Sequence, residues 1–572
     1  MPEIAKTAKQ SGLLRLAPAL TVAVMLGPVI AGLIGTVLPA FGYLPVLGGD
    51  DFRLDPWRDL AAMPGLGQSM RLSFVNGLAA TLISFGAVML FCAAWQGTRS
   101  FALMQRVLSP ILSVPHAAAA FGLAFLIAPS GWIARIFATI GGWDRPPDIL
   151  TVQDGWGLAL IAGLVVKEIP FLLLMTLAAL PQADAHRTQQ VALTLGYGRV
   201  SGWIKTVLPR IYPQIRLPVL AVLAYSTSVV DVALILAPTT PPPLAVRIVQ
   251  WLSDPDLSMR FVASAGAMAQ LLLVLAAMLV WVAGERVVAH IGCILTQAGR
   301  RGRRDGAVRG LAAAIAMISA AAVFFGLAGL MVWSFAGYWR FPDLLPEHWS
   351  LRLWQRQFDG LVITLGQTAL IGALAVGGAI VLVLACLEQE EREDVGRPGR
   401  RGMGLIYVPL LVPQVSFMFG MQVFFTYIGL DRTLISVVMA HLVFVLPYVF
   451  LALADPFRAL DRRYGQTALC LGAGANRVFW QVRLPLLLRA VLVALAIGFA
   501  VSIGQYLPTL LIGAGRFATI TTEAVALAAG GDRRMIGIYG LLQMILPFCG
   551  FVLAMIIPAV LFRHRRGMAA GK

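Results

Sequence analysis

The chain has 572 residues, of which 59% are hydrophobic and 13% charged. That charged fraction is about half that of a soluble domain and too small to clothe a core of this size in a polar skin. The formal charge of +17 does not point to nucleic acid, because the basic residues sit in short segments between apolar blocks without zinc-finger spacing or an RNP-like run.

In chain order, the apolar blocks predict twelve membrane helices at 14–40, 72–95, 106–128, 156–180, 213–237, 261–284, 308–334, 361–386, 404–427, 433–454, 487–512 and 535–561. Each is long enough to cross the hydrocarbon at a helical rise. Blocks rich in Gly, Ala and Leu, without two-residue alternation, read as helices and not barrel strands. The first block lacks a small-residue cleavage site and reads as a retained span. The fourth span carries Lys167 and Glu168, which are adjacent, do not share a helix face, and each require a partner. The fifth carries Asp231 in its outer part, near Ser226, Thr227 and Ser228. The corresponding stretch of the eleventh offers Gln505 and Tyr506, in an alignment that slips by about two residues, with Ser502 nearby. Ionisable groups at membrane depth mark a translocation path or an interhelix bond. His116 and His441 read as packing residues. Cys92, Cys293, Cys386, Cys470 and Cys549 form no CxxC and imply neither disulfide nor metal. Trp57, Trp95, Trp132, Trp143, Trp156, Trp339, Trp349 and Trp354 lie near span ends, as interfacial belts do.

Lys/Arg bias orients the spans. Lys6, Lys9 and Arg15 lie at the N-terminus. Arg187, Arg199, Lys205 and Arg210 follow the fourth. Arg286, Arg300, Arg301, Arg303, Arg304 and Arg309 join the sixth to the seventh. Arg458, Arg462, Arg463, Arg477 and Arg483 follow the tenth, and Arg563, Arg565 and Arg566 the last. All fall on one side, the cytoplasmic one, with both termini. Between 387 and 403, Glu388, Glu390, Glu391, Glu393 and Asp394 dilute the signal, but acids weigh little in this rule.

The basic segment 286–309 divides 1–285 from 310–572, and the two parts repeat. QVALTLGYGRVSGWIKTVLP at 190–209 matches QTALCLGAGANRVFWQVRLP at 466–485 without a gap, 276 residues apart. Gln190, Ala192, Leu195, Gly196 and Leu208-Pro209 align with Gln466, Ala468, Leu471, Gly472 and Leu484-Pro485. Pro110 and Val114-Pro115 weakly echo Pro409 and Val412-Pro413, and Pro170 echoes Pro447. The repeated polar segment predicts a helix, a turn at glycine and a second helix ended near proline. It forms a short rigid lug, and two lugs make a two-fold docking surface.

On these motifs the sequence resembles the permease subunits of binding-protein-dependent ABC importers, whose cytoplasmic EAA loop has the alanine, the glycine and the Leu-Pro at this spacing. The loops at 187–210 and 463–486 depart from it in having Gln190 and Gln466 in place of glutamate. The resemblance covers nearly the whole chain. It looks closest to the fused permeases of the ferric-iron, thiamine and polyamine group, and within it to thiamine-type permeases, as 504–534 suggests. It implies an all-α polytopic fold of two homologous six-helix halves, like that of type I ABC importers, in a bacterial inner membrane. It further implies a pore subunit that is not itself an enzyme and binds no cofactor. ATP and Mg would be used by two ATP-binding cassette subunits at the cytoplasmic face, and a periplasmic solute-binding protein would deliver the cargo. The chain has no GxxxxGK[ST], so energy would enter through the lugs. Asp231, Gln505, Tyr506, Lys167 and Glu168 are candidate path residues. A secondary transporter with an internal repeat is the alternative; it would need no paired lugs.

Overall fold

The computed structural model describes residues 12–111, 114–302, 305–393, 400–530 and 532–563. Lys6, Lys9, Arg303, Arg304, Asp394, Arg565 and Arg566 lie outside the described residues. Among those described, every element is helical apart from two isolated bridges. In the first part of the chain the frame is α1 (Ala17–Ala40), α2 (Leu66–Trp95), α3 (Arg99–Ile111), α4 (His116–Ile127), α5 (Leu158–Ala179), α6 (Ala185–Thr194), α7 (Arg199–Thr206), α8 (Leu208–Ser228), α9 (Asp231–Leu236) and α10 (Met259–Gln297). In the second it is α11 (Gly306–Phe335), α12 (Arg352–Arg392), α13 (Arg400–Leu411), α14 (Val415–Tyr427), α15 (Leu434–Arg458), α16 (Arg462–Cys470), α17 (Ala475–Val478), α18 (Leu484–Ile503), α19 (Leu507–Gly513) and α20 (Arg533–Leu561).

Ten helical segments are long and apolar enough to cross a membrane, and twelve if each of two bent pairs counts as one span. The twelve predicted blocks are thus found, with three corrections. The predicted third and ninth spans are each interrupted: α3 gives way to α4, and α13 meets α14 at 93°. The weak proline echo is the cause, since Pro115 and Pro413 occupy these breaks, where proline disfavours helix in the residue before it. The fifth and eleventh spans also break, between α8 and α9 and between α18 and α19. Finally, α10 and α12 are far longer than their apolar cores, at 39 and 41 residues, or about 60 Å each. Of the segment 286–309, the residues as far as Gln297 are therefore helical, and α11 begins at Gly306.

The internal repeat extends well beyond the polar loop. Helices α5 and α15 begin at Leu158 and Leu434, α8 and α18 at Leu208 and Leu484, and α9 and α19 at Asp231 and Leu507. All three pairs stand at the same 276-residue offset as the sequence match, so the slip expected near Asp231 is absent: Asp231 matches Leu507, and Gln505 and Tyr506 match Val229 and Val230. The Leu-Pro signature forms the first two positions of the next span in both copies, where proline's missing N–H costs no helical bond.

The two parts exchange their first spans. Helix α1 packs on α14, α12 and α15, and α11 packs on α4 and α2. Met25 accordingly lies in a core cluster built from the second part, and Ala312, Ala316, Ala320 and Val323 in one built from the first. In hydrocarbon such crossings depend on small residues that let backbones approach. A Cβ on Gly420 would stand 2.0 Å from the Gly32 carbonyl oxygen, and one on Gly326 2.7 Å from the Gly122 carbonyl carbon. The Gly420 amide also donates to Thr36 Oγ1 at 3.1 Å.

Candidate functional site: two lugs and a polar seam

Each lug is a helical hairpin closed by glycine. Gly196 and Gly472 have φ of +80° and +85°, in the left-handed region that glycine adopts without steric cost. The next helix starts after Gly198 or Gly474, both extended. In the first lug Ala192 is buried against Gly202, where an added Cβ would lie 3.1 Å from the alanine's own. The second lug is looser. Its Ala468 is half-buried, and its second helix is a single turn running into a π turn at Phe479–Arg483. Gln190 and Gln466 are exposed in both. So are the matched leucines, Leu195 at 59% and Leu471 at 83%. Val191, Leu193, Tyr464, Leu469 and Trp480 are also exposed. Apolar side chains gathered on a polar-rimmed projection mark a surface for another protein.

The lugs are held differently. In the first, Trp203 Nε1 donates to Gln96 Oε1 at 2.6 Å, just past the end of α2, and Arg199 donates to the Gln96 carbonyl. The Gly198 amide donates to the Arg301 carbonyl at 2.8 Å and the Val200 amide to Asp305 at 3.0 Å. Lys205 Nζ donates to the Leu295 and Arg300 carbonyls at 2.8 and 2.7 Å. The connecting segment is thus the first lug's seat. The second lug is seated on α12 by ion pairs described below. The first lug is thus seated where α10 ends and α11 begins, and the second where α12 ends.

At membrane depth a polar seam lies between the two parts. Glu168 on α5 is buried and faces His116, with Oε1 3.3 Å from Nε2. The imidazole stacks obliquely on Tyr225, centroids 4.8 Å apart. Tyr225 lies beside Asp231, which is buried at the start of α9 within electrostatic reach of His116. From the second part, Tyr448 lies within reach of Glu168 and Tyr506 within reach of Asp231. The structure therefore brings Glu168, Asp231 and Tyr506 together, with Lys167 buried beside Glu168. Gln505 is buried in the break before α19, where its carbonyl accepts from Thr509 Oγ1 at 2.9 Å.

His116, read from sequence as a packing residue, is the centre of this seam. The missed signal was Pro115, which opens the chain there and sets His116 at a helix start. His441 does pack as expected, its ring nitrogens 2.8 Å from Ser502 Oγ and 2.9 Å from Thr509 Oγ1. Thr227 and Ser228 spend their hydroxyls on carbonyls of their own helix. Ser226 Oγ is buried with no hydrogen-bond partner among the described residues.

Comparison with known proteins fits this architecture. Residues 395–564 match the family described as "Binding-protein-dependent transport system inner membrane component". Over 560 residues the chain is 31% identical to the inner membrane ABC transporter permease protein YnjC of Escherichia coli, covering 96% of this chain and 97% of that one. The chain belongs to the ABC transporter permease family. Shorter matches join this permease to others. The putrescine transport system permease protein PotI of Escherichia coli is 25% identical over 27% of this chain and 58% of its own length. The molybdenum transport system permease protein ModB of Mycobacterium tuberculosis is 29% identical over 30% of this chain and 67% of its own. The protein is thus a multi-pass inner-membrane permease subunit of an ABC importer, a transport component that works with ATPase and solute-binding partners.

Proposed function

We infer that the chain is a fused, pore-forming permease in which 1–285 and 310–572 are the two halves and 286–309 joins them. Each half offers one lug, and each lug takes one ATP-binding cassette subunit at the cytoplasmic face. The observation that carries this reading is the pair of exposed, glycine-closed lugs in one 276-residue register, each ending in an exposed leucine. Closure of the ATPases would draw the lugs together and tilt α8 and α18, which continue from them. The α7–α8 junction is bent by 65°, so lug motion is delivered at an angle to the span. The test is co-purification of ATPase subunits with the detergent-solubilised chain, sharpened by the lug variants argued in the Discussion.

Orientation has a built-in probe. Cys470 is exposed on the second lug, and Cys293 is exposed on the same end of α10. In a chain whose other three cysteines are replaced, both should react with an impermeant maleimide in inverted vesicles and resist it in sealed spheroplasts. The opposite pattern would place the lugs outside and remove the ATPase reading.

The relatives' names carry different cargoes, so the substrate is argued from side chains. Two buried carboxylates ringed by tyrosines suit a small cation, of the thiamine, ferric-iron or polyamine class, delivered by a periplasmic binding protein. Loss of one desolvated carboxylate contact removes about 1.5–3 kcal/mol, or roughly tenfold and upward in rate. Asp231→Asn and Glu168→Gln should each lower uptake by about that factor, leaving ATPase association intact. The probes are labelled thiamine, putrescine and ferric iron in membrane vesicles. Equal uptake by parent, both variants and their double, or transport of none of the three, would discard the cation path.

A further inference from the structure

Near the lug end of the molecule, α12 presents Glu388, Glu390 and Glu391, the acids that blur the charge bias of 387–403. None of them is spent on solvent alone. Glu388 accepts from Arg392 Nε at 2.7 Å and from Arg483 Nη1 at 2.8 Å. Glu390 takes Arg458 in a two-pronged pair, Nε and Nη2 both at 2.8 Å. Glu391 reaches Arg483 at 3.3 Å and Arg462 at 3.4 Å. Arg392 also donates to Asn476 Oδ1 at 3.1 Å.

The partners are distributed in an informative way. Arg458 ends α15, Arg462 begins α16, Asn476 lies in α17 and Arg483 immediately precedes α18. The acidic row therefore grips the second lug at its front and its back, and through Arg392 at its middle. The Glu388 side chain is 4% exposed, and those of Arg458 and Arg483 are also largely covered. Buried ion pairs contribute little net stability, but forked guanidinium–carboxylate pairs fix relative geometry, and burial shields them from salt. Below the row, α12 continues unbroken through the membrane, packed on α15, α18 and α1. The first lug, by contrast, rests on a neutral glutamine, main-chain carbonyls and Asp305.

We propose that the Glu388–Glu391 row is the linkage by which the second lug and α12 move as one body, with Glu388 as its central positioning residue. This rests on the lug reading above and adds a route: the signal of a docked binding protein reaches the second ATPase along α12. The first ATPase is served through the connecting segment and Gln96. The two lugs are then mechanically unlike, although their sequences repeat.

The experiment uses the full transporter in proteoliposomes: this chain, its ATPase subunits and its purified binding protein, with ATP as the probe. Three quantities are read on one preparation: ATPase bound per chain, basal hydrolysis, and the stimulation of hydrolysis by binding protein. Glu388→Gln and Glu390→Gln should keep the first two and lower the stimulation by at least about fivefold. Glu390→Arg with Arg458→Glu, which retains every charge, should regain it. Unchanged stimulation in the triple variant Glu388→Gln, Glu390→Gln, Glu391→Gln overturns the proposal, as does parallel loss of bound ATPase, which would make the row a mere scaffold for the lug. Where the neutral variants do not accumulate, the swapped pair decides: parental stimulation supports the linkage and its loss overturns it. Failure of the lug reading itself is separate, since the parent chain would then bind no ATPase.

Discussion

A chain carrying both Gly196→Val and Gly472→Val should insert and accumulate normally yet neither hold its ATPase subunits nor transport. Both glycines have φ near +80°, where a β-branched residue is an outlier costing about 1–3 kcal/mol. Around Gly472 no other atom lies within 4 Å of an added Cβ, so the cost there is conformational and confined to the turn. Relief of that strain turns the lug helices relative to one another and displaces Leu195 or Leu471, which sits next to the glycine. Valine is the better test than aspartate, which tolerates the left-handed region. Each single change should weaken ATPase retention by about tenfold, equivalent to 1.4 kcal/mol, and the double change should approach complete loss. Membrane abundance, ATPase retained on purification and ATP-driven uptake are the measurements. A double variant that retains ATPase and transports like the parent would reduce the lugs to connectors.

Gly420→Val should act at the opposite level, preventing assembly instead of coupling. Its Cβ would stand 2.0 Å from the Gly32 carbonyl oxygen and 2.6 Å from the Gly35 carbonyl carbon. These are backbone atoms of α1, so no rotamer relieves the clash and the helices must separate. The cost is at or above the top of the range for overpacking, about 3 kcal/mol. Separation also breaks the Gly420–Thr36 hydrogen bond and undoes the span exchange through which α1 clasps the second half. Detergent extracts should show aggregated or degraded chain on gel filtration. Gly27→Val, on α1 with nothing within 4 Å of its Cβ, should remain monodisperse. Equal behaviour of the two variants would mean that this crossing does not hold the halves together.

What the sequence made legible follows from how local each signal is. The turns at Gly196 and Gly472 were legible because a left-handed position, a repeat and a proline-led helix start are all short-range features. The twelve apolar blocks were legible because hydrocarbon thickness sets their length. The breaks at Pro115 and Pro413 were visible as an echo, but a hydropathy window averages across a bend. Deviations from periodicity hid the alignment near Asp231, where side chains differ and only the helix starts keep register. The partners of Glu168 and of Glu388 were out of reach. His116 is 52 residues from Glu168 and Arg483 is 95 from Glu388, and only tertiary packing selects them.

The register of the repeat has a final consequence for the seam. Lys167, Glu168 and Asp231 fall opposite Val443, Phe444 and Leu507, so the second half holds hydrocarbon where the first holds charge. A permease assembled from two copies of one gene product would necessarily show each carboxylate twice, face to face across the axis, where like charges in a dry medium oppose each other's ionisation. On the fused reading proposed above, two diverged halves in a single polypeptide would be free of that obligation. On the path reading proposed above, the first half would offer charged groups and the second neutral ones, and a bound solute would have a defined way round: its charged end toward α5 and α9, its uncharged end toward α15 and α19. Orientation of the solute in passage, rather than capacity, is what such a fusion would make available.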